Sequence, residues 1–366
     1  MSTELFYQIA LTLVPHIGNV HAKILVDHFV KAEEIFQAKK SVLEKIDGIG
    51  SIRAKQIKTF GNFARAEQEV EFIRKYKIQP LFLSDPTYPK RLLNCYDCPT
   101  MLYYKGNTDL NHPRIVSLVG TRTHSEYGKQ ITENLIRDLS VPGVLIVSGL
   151  AFGIDAVAHR AALKNNLATV GVLAHGLNKL YPSEHASLAR EMTAQGGLLS
   201  EFRSHTKPDK HNFPIRNRIV AGMCDATIVI ETGIRGGSMI TAELANGYNR
   251  DVFAFPGKTT DPKSSGCNDL IKNNKAILLT DAAQLITLMG WQDKTIPKTT
   301  KQKAMFVSLN ETERKIVDLL QQSSNMHIDE LHLAININNS ALAAALLNLE
   351  LQGVVSSLPG KMIRLT

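Results

Sequence analysis

The chain has 366 residues, too many for one ordinary hydrophobic core, so two or three domains are expected. Hydrophobic residues make up 44% and charged residues 21%, a globular composition, and no apolar run approaches the ~18 residues of a membrane span. The net charge of +8 favours an anionic partner without identifying one.

The start of the chain holds Glu4 and no basic segment, so no secretory signal and a cytoplasmic location are expected. The four cysteines, Cys95, Cys98, Cys224 and Cys267, are then reduced thiols by default. Cys95-x-x-Cys98 is half of a zinc spacing, but no second pair follows, and no structural metal is expected.

Residues 1–75 carry 11 Lys/Arg against 9 Asp/Glu and read as short helices. Ile17-Gly18-Asn19 and Ile46-Asp47-Gly48-Ile49-Gly50 each place a glycine turn before apolar residues at helical spacing. This is the helix-hairpin-helix pattern, whose exposed amides bind phosphate at a helix start. A small packing domain that never touches DNA fits the same residues. Residues 76–110 read as a connector rich in Pro and Tyr.

The pattern then changes. Runs of β type occur at Ile115–Val119, Leu145–Val147, Thr169–Leu173, Gly197–Leu199, Thr227–Ile230, Val252–Phe255 and Ala276–Leu279, with helical stretches between most of them. Alternating strands and helices imply a mostly parallel sheet covered on both faces, with ligands at the carboxyl ends of the strands. The region 76–290 holds 23 Lys/Arg and 18 Asp/Glu, so it and the basic linker after it are the anion-binding candidates.

Three turns after these strands bear glycine. They are Gly120-Thr121-Arg122, Ser148-Gly149 through Gly153 to Asp155, and Glu231 through Gly237 to Ser238. Glycine lets backbone amides approach a phosphate, and Arg122 can grip one bidentately. None of the three is G-x-G-x-x-G or a Walker loop, so neither NAD nor ATP is indicated and no cofactor is expected. Asp155 and His159 stand four apart on one helix face, and we read them as structural, orienting the glycine turns.

The densest cationic stretch is Lys210-His211-Asn212-Phe213-Pro214-Ile215-Arg216-Asn217-Arg218. Pro214 disfavours helix at Phe213, so Lys210 to Phe213 are expected extended or turned, with Pro214 in the first turn of a helix carrying Arg216 and Arg218. One ring among several cations suits a single strand of nucleic acid, whose bases stack while its phosphates are neutralised.

Residues 291–307 read as a basic linker with Lys294, Lys298, Lys301, Lys303 and Pro297. Residues 308–366 read as a winged helix of three helices and a hairpin turning at Pro359-Gly360. The third helix, Asn339 to Gln352, contains no Lys or Arg, and the unit carries 4 Lys/Arg against 6 Asp/Glu, which favours a protein–protein role over duplex readout.

Taken together, these motifs resemble the DNA-processing protein A family (DprA, also called Smf), over almost the whole length. The match runs through Ser148-Gly149-Leu150-Ala151-x-Gly153-Ile154-Asp155, Gly176-Leu177, Tyr181-Pro182, Ser200-Glu201, Phe213-Pro214-x-Arg216-Asn217-Arg218, Gly237-Ser238, Pro256-Gly257 and Gly266-Cys267-Asn268. The resemblance implies an extended Rossmann-like α/β domain, flanked by an N-terminal helix-hairpin-helix (SAM-like) domain and a C-terminal winged helix. It implies single-stranded DNA and the RecA recombinase as partners in natural transformation, a homodimer through the Rossmann-like domain, no membrane, and no enzymatic activity. The family's DNA-contacting positions fall on Arg122, Lys210, Phe213 and Arg216-Asn217-Arg218. With the glycine turns, the candidate site comprises Gly120, Thr121, Arg122, Ser148, Gly149, Gly153, Lys210, Phe213, Arg216, Asn217, Arg218, Gly237 and Ser238. The sequence departs from the family pattern at Cys95 and Cys98 and in the Glu231–Ser238 turn.

Two rival classes fit less well. Gly236-Gly237-Ser238-x-x-Thr241-x-Glu243 loosely resembles the loop of nucleoside-monophosphate phosphoribohydrolases, but Met239 replaces a glycine and Glu243 is one residue out of register. A scaffold without DNA contact leaves the cationic middle region unexplained.

Overall fold

The computed structural model describes residues 3–292, 309–323, 325–358 and 360–366. Most of the basic linker, from residue 293, lies outside the described residues, as does Pro359 of the expected hairpin turn. The chain divides into two compact units at residue 280.

The first unit begins with six helices: α1 (Thr3–Leu11), α2 (Asn19–His28), α3 (Ala32–Gln37), α4 (Lys40–Leu43), α5 (Gly50–Lys58) and α6 (Phe63–Lys75). Gly48 and Gly50 have φ of +81° and +63°, a region where a Cβ is strained, so the turn before α5 needs its glycines. Ile9, Leu25, Ile35, Leu43 and Ile57 form the core of this helical layer, which continues onto Phe82, Met101 and Tyr103 of the sheet.

A nine-stranded sheet follows: β1 (Gln79–Phe82), then α7 (Lys90–Leu93), β2 (Met101–Gly106), β3 (Ile115–Val119), α8 (Glu126–Asp138), β4 (Leu145–Ser148), α9 (Ile154–Lys164) and β5 (Thr169–Leu173). It continues with α10 (Ala186–Ala194), β6 (Gly196–Ser200), α11 (Asn212–Gly222), β7 (Ala226–Val229), α12 (Gly237–Gly247), β8 (Asp251–Ala254), α13 (Ser265–Lys272) and β9 (Ile277–Leu278). The order is β1-β2-β6-β5-β4-β3-β7-β8-β9. All seven runs read from the sequence are strands, and they pair in parallel. The stretch read as a connector supplies β1 and β2, which add antiparallel at the β6 edge. Antiparallel strands need no crossover helix, so the alternation that marked the others is missing there. Pro80 sits in β1, the outermost strand, where the lost ladder donor is tolerated.

Strands β3 to β6 are buried on both faces, as their unbroken apolar runs require. From β3 the chain winds to β4, β5 and β6 on one side, then returns to β7, β8 and β9 on the other. The order therefore reverses between β3 and β7, and their carboxyl ends open a crevice. Cys95 and Cys98 are buried in the core under this sheet, and neither is in a disulfide.

The second unit comprises α14 (Ala282–Leu288), α15 (Glu311–Gln322), β10 (Met326–His327), α16 (Ile328–Ile335), α17 (Asn339–Leu351), β11 (Val355–Leu358) and β12 (Met362–Leu365). Asn310 and Glu313 form a capping box on α15, and Asn338 caps α17. Ile316, Leu320, Leu331, Leu342 and Leu349 meet Val355 and Ile363 of the hairpin in one core. This is a winged-helix arrangement. No described helix is long and apolar enough to cross a membrane.

Candidate nucleic-acid interface

The three glycine turns are tied into one surface at the crevice. The Thr121 amide donates to Glu231 O (2.7 Å), and the Ile154 amide donates to Thr121 O (3.1 Å). Gly153 has φ of +80°, and a Cβ on it would lie 2.1 Å from Thr121 O. A Cβ on Gly120 would lie 2.5 Å from Ile154 Cγ1. The β3 and β4 turns therefore interlock only because both positions lack side chains. Glu231, buried, accepts from the Ser125 amide (2.9 Å) and the Ser125 hydroxyl, which fixes the start of α8 to the β7 turn.

A cleft of about 650 Å³ opens above these turns. Gly120, Thr121, Arg122 and Gly149 line it from the β3 and β4 ends, Lys210, Phe213, Arg216 and Asn217 from α11 and the segment before it, and Gly237 and Ser238 from α12. The guanidinium of Arg122 stands 5.4 Å from the centre of the Phe213 ring. Such a contact contributes ~0.5–1 kcal/mol at an exposed site and holds the cation beside the ring. Neither Arg122 nor Lys210 has a carboxylate partner among the described residues, and both are exposed. The start of α12 has no side-chain cap, so the amides of Gly237 and Ser238, two residues that line the cleft, are left as open donors, while the Met239 amide turns back to Gly236 O (3.1 Å). Beside them, Ser238 Oγ is buried without a hydrogen-bond partner.

The helix α11 begins at Asn212, so Phe213 is already helical rather than extended. Pro214 is its third residue, where the missing N–H has no intrahelical acceptor to lose. The steric preference against helix before proline yields to packing: Phe213 is half-buried between Arg122 and Tyr181, whose ring centre is 6.2 Å from its own. The sequence motif Tyr181-Pro182 assigns this tyrosine no role. Its exposed ring lines the same cleft.

Three candidate residues lie off the cleft or beneath it. Ser148 is wholly buried, its hydroxyl donating to Leu118 O (2.6 Å). Gly153 acts through the interlock above and lines a neighbouring groove. Arg218 lies two residues from Arg216, which places it on the opposite side of the helix. There it pairs with Glu201 and donates to Asp97 O, in a separate cleft that includes Asn19 and Tyr103.

Arg216 reaches the cleft floor but is only 6% exposed. It donates to Val172 O and faces Asp155 across Gly149, where a Cβ would lie 2.4 Å from both Arg216 Nη1 and Asp155 Oδ2. Burial pushes the Asp155 carboxyl above its usual range, and Arg216 opposes that shift. His159 is wholly buried, with Nδ1 2.6 Å from Thr169 Oγ1 and Nε2 3.3 Å from Gly149 O. Burial lowers its pKa to about 3, so it is neutral and holds the β4 turn. Asp155 and His159 thus have the orienting role read from the sequence. Glu243, needed by the phosphoribohydrolase reading, is exposed on α12 beside Lys275 (3.4 Å) and does not line the cleft. Among the described residues, no group of three or more His, Cys, Asp or Glu is placed to hold a metal.

Known proteins share this arrangement. Residues 79–290 match the family described as DNA recombination-mediator protein A, residues 304–361 match the DprA winged helix domain, and residues 9–70 match a helix-hairpin-helix motif. The Smf protein of Synechocystis sp. is 32% identical over 98% of this chain and 98% of its own length. The X-ray structure of DprA from Streptococcus pneumoniae superposes with a TM-score of 0.65 at 32% identity, covering 78% of this chain and 97% of that one. DNA processing protein A of Helicobacter pylori, whose structure concerns its single-stranded DNA binding mode, gives a TM-score of 0.53 at 31% identity, covering 57% and 94%. The sheet, the helical layer before it and the winged helix after it are those of one family, and this chain belongs to it: the DNA recombination-mediator proteins A, DprA/Smf.

Proposed function

We propose that the protein binds single-stranded DNA along the carboxyl edge of the sheet. The observation that carries this reading is the exposed Arg122 guanidinium held 5.4 Å over the half-buried Phe213 ring, at the point where the strand order reverses. A base stacks on Phe213 while Arg122 and Lys210 take the flanking phosphates. The open amides of α12 and the free Ser238 hydroxyl donate to another. The protein acts by binding, not turnover. Family membership supports the finer reading: a cytoplasmic homodimer that protects incoming single strands and loads RecA onto them in natural transformation. The winged helix, with no cation on α17, takes a protein partner in this scheme.

The test is fluorescence anisotropy of a labelled single strand and its duplex at several salt concentrations. Phe213→Ala weakens single-strand binding by the ~1–3 kcal/mol of one stacked base and leaves the salt slope unchanged. Lys210→Ala flattens the slope by ~0.7, one phosphate contact on a single strand. Equal binding of duplex and single strand, untouched by Phe213→Ala, would reduce the site to generic basic attraction.

A further inference from the structure

The cleft does not end at Phe213. A second groove of about 350 Å³ opens on the other side of Arg122, lined by His124, Phe152, Arg160 and Glu184 among others. Between the two lies a narrow apolar slot lined by both Phe152 and Phe213. Arg122 lines all three spaces, so cleft, slot and groove form one path with that cation at its centre.

Phe152 is built as a platform. It is 44% exposed, and its other side meets the His185 ring edge-on at 5.0 Å. His185 is itself buried and fixed by Leu150 O (3.0 Å). The ring is therefore positioned before any ligand arrives, and stacking costs little ordering. Ala156 and Arg160 are four apart on α9, so Arg160 stands one turn beyond the small Ala156, and both line the same groove as Phe152, which lies in the turn just before the helix. Arg160 is exposed and has no carboxylate partner among the described residues. Glu184 is the one carboxylate lining this groove, and its charge repels a phosphate. The sugar-phosphate path is thereby set on the Arg160 side. The alternation of cation and ring (Lys210, Phe213, Arg122, Phe152, Arg160) is what a strand needs when each base has a face to rest on and each phosphate a charge.

We infer that Phe152 and Arg160 form a second nucleotide subsite, so that the bound strand crosses Arg122 and places a further base on Phe152. This rests on the single-strand reading above and extends it by one stacked base and one phosphate.

The experiment is anisotropy with a labelled ~20-nucleotide single strand, using wild type, Phe152→Leu, Phe152→Tyr, Arg160→Ala, Phe213→Ala and the double variant Phe152→Leu/Phe213→Ala. Circular dichroism verifies that each is folded. Phe152→Leu keeps the apolar contact with His185 but removes the ring, and weakens binding about five-fold or more, while Phe152→Tyr restores it. Arg160→Ala lowers the salt slope by ~0.7. The double variant shows the product of the two single effects, because the rings hold different bases. Unchanged binding in Phe152→Leu, or a double variant no weaker than Phe213→Ala, overturns the second subsite and leaves the first standing. Loss of effect in Phe213→Ala as well removes the single-strand reading itself.

Discussion

Arg216 decides between two readings of the cationic stretch. By sequence it is a phosphate-neutralising cation. In the fold it is 6% exposed and faces Asp155 across Gly149, so its first task is to compensate a buried carboxylate. Arg216→Met keeps the aliphatic length but leaves Asp155 buried without its main counter-charge, with Arg122 the only cation still opposing the burial, and removes the Arg216 donor to Val172 O. Removing one partner of a buried charge pair costs ~3–5 kcal/mol. Replacing both partners by apolar residues is often neutral, so the double variant Asp155→Leu/Arg216→Met regains most of that loss. Urea denaturation followed by circular dichroism measures this. With a slope of ~3 kcal/mol per molar, the single variant shifts the midpoint down by ~1 M or more. Arg122→Ala is the comparison, since Arg122 is exposed and its loss stays within the ~1 kcal/mol of its contact with Phe213. A cost under ~1 kcal/mol for Arg216→Met, together with a ~0.7 drop in the salt slope, would place the guanidinium on the strand and refute the buried-pair account.

Other outcomes follow from the same geometry. The buried His159 titrates near pH 3 in the fold and near 6.5 unfolded, so its contribution is complete above pH 6.5 and falls by ~1.4 kcal/mol per pH unit below it. Between pH 6.5 and 5 that is ~2 kcal/mol, and urea midpoints of His159→Gln at the two pH values should lack this loss. Gly153→Ala meets both a φ of +80° and a 2.1 Å approach to Thr121 O, so it should cost more than ~2 kcal/mol and weaken single-strand binding by displacing Arg122. Gly237→Ala, with nothing within 4 Å of the added Cβ, should leave the thermal midpoint unchanged. Asn310→Ala removes the capping box of α15 and should cost the second unit ~1 kcal/mol, seen by calorimetry as a fall of ~4–8 °C in its transition.

The sequence by itself determined the parallel strands, because strands buried on both faces must be unbroken apolar runs. It marked the glycine turns, because close backbone approach admits no Cβ, and it located the winged helix through its helical stripes. Those are local requirements, readable residue by residue. It missed β1 and β2, since an antiparallel pair at a sheet edge needs neither a crossover helix nor a continuous apolar run. It placed Phe213 outside the helix, since the local bias before Pro214 is real but smaller than the packing of that ring between Arg122 and Tyr181. The identities of the cations were plain, but their tasks were not. Arg122 and Lys210 are exposed at the cleft, Arg216 is sunk against Asp155, and Arg218 is turned to Glu201 on the far side of α11. Charge is a property of the residue, whereas the dielectric around it and the partner it meets are set by chain segments far away in sequence. Tertiary structure alone decides which arginine stays free for a phosphate.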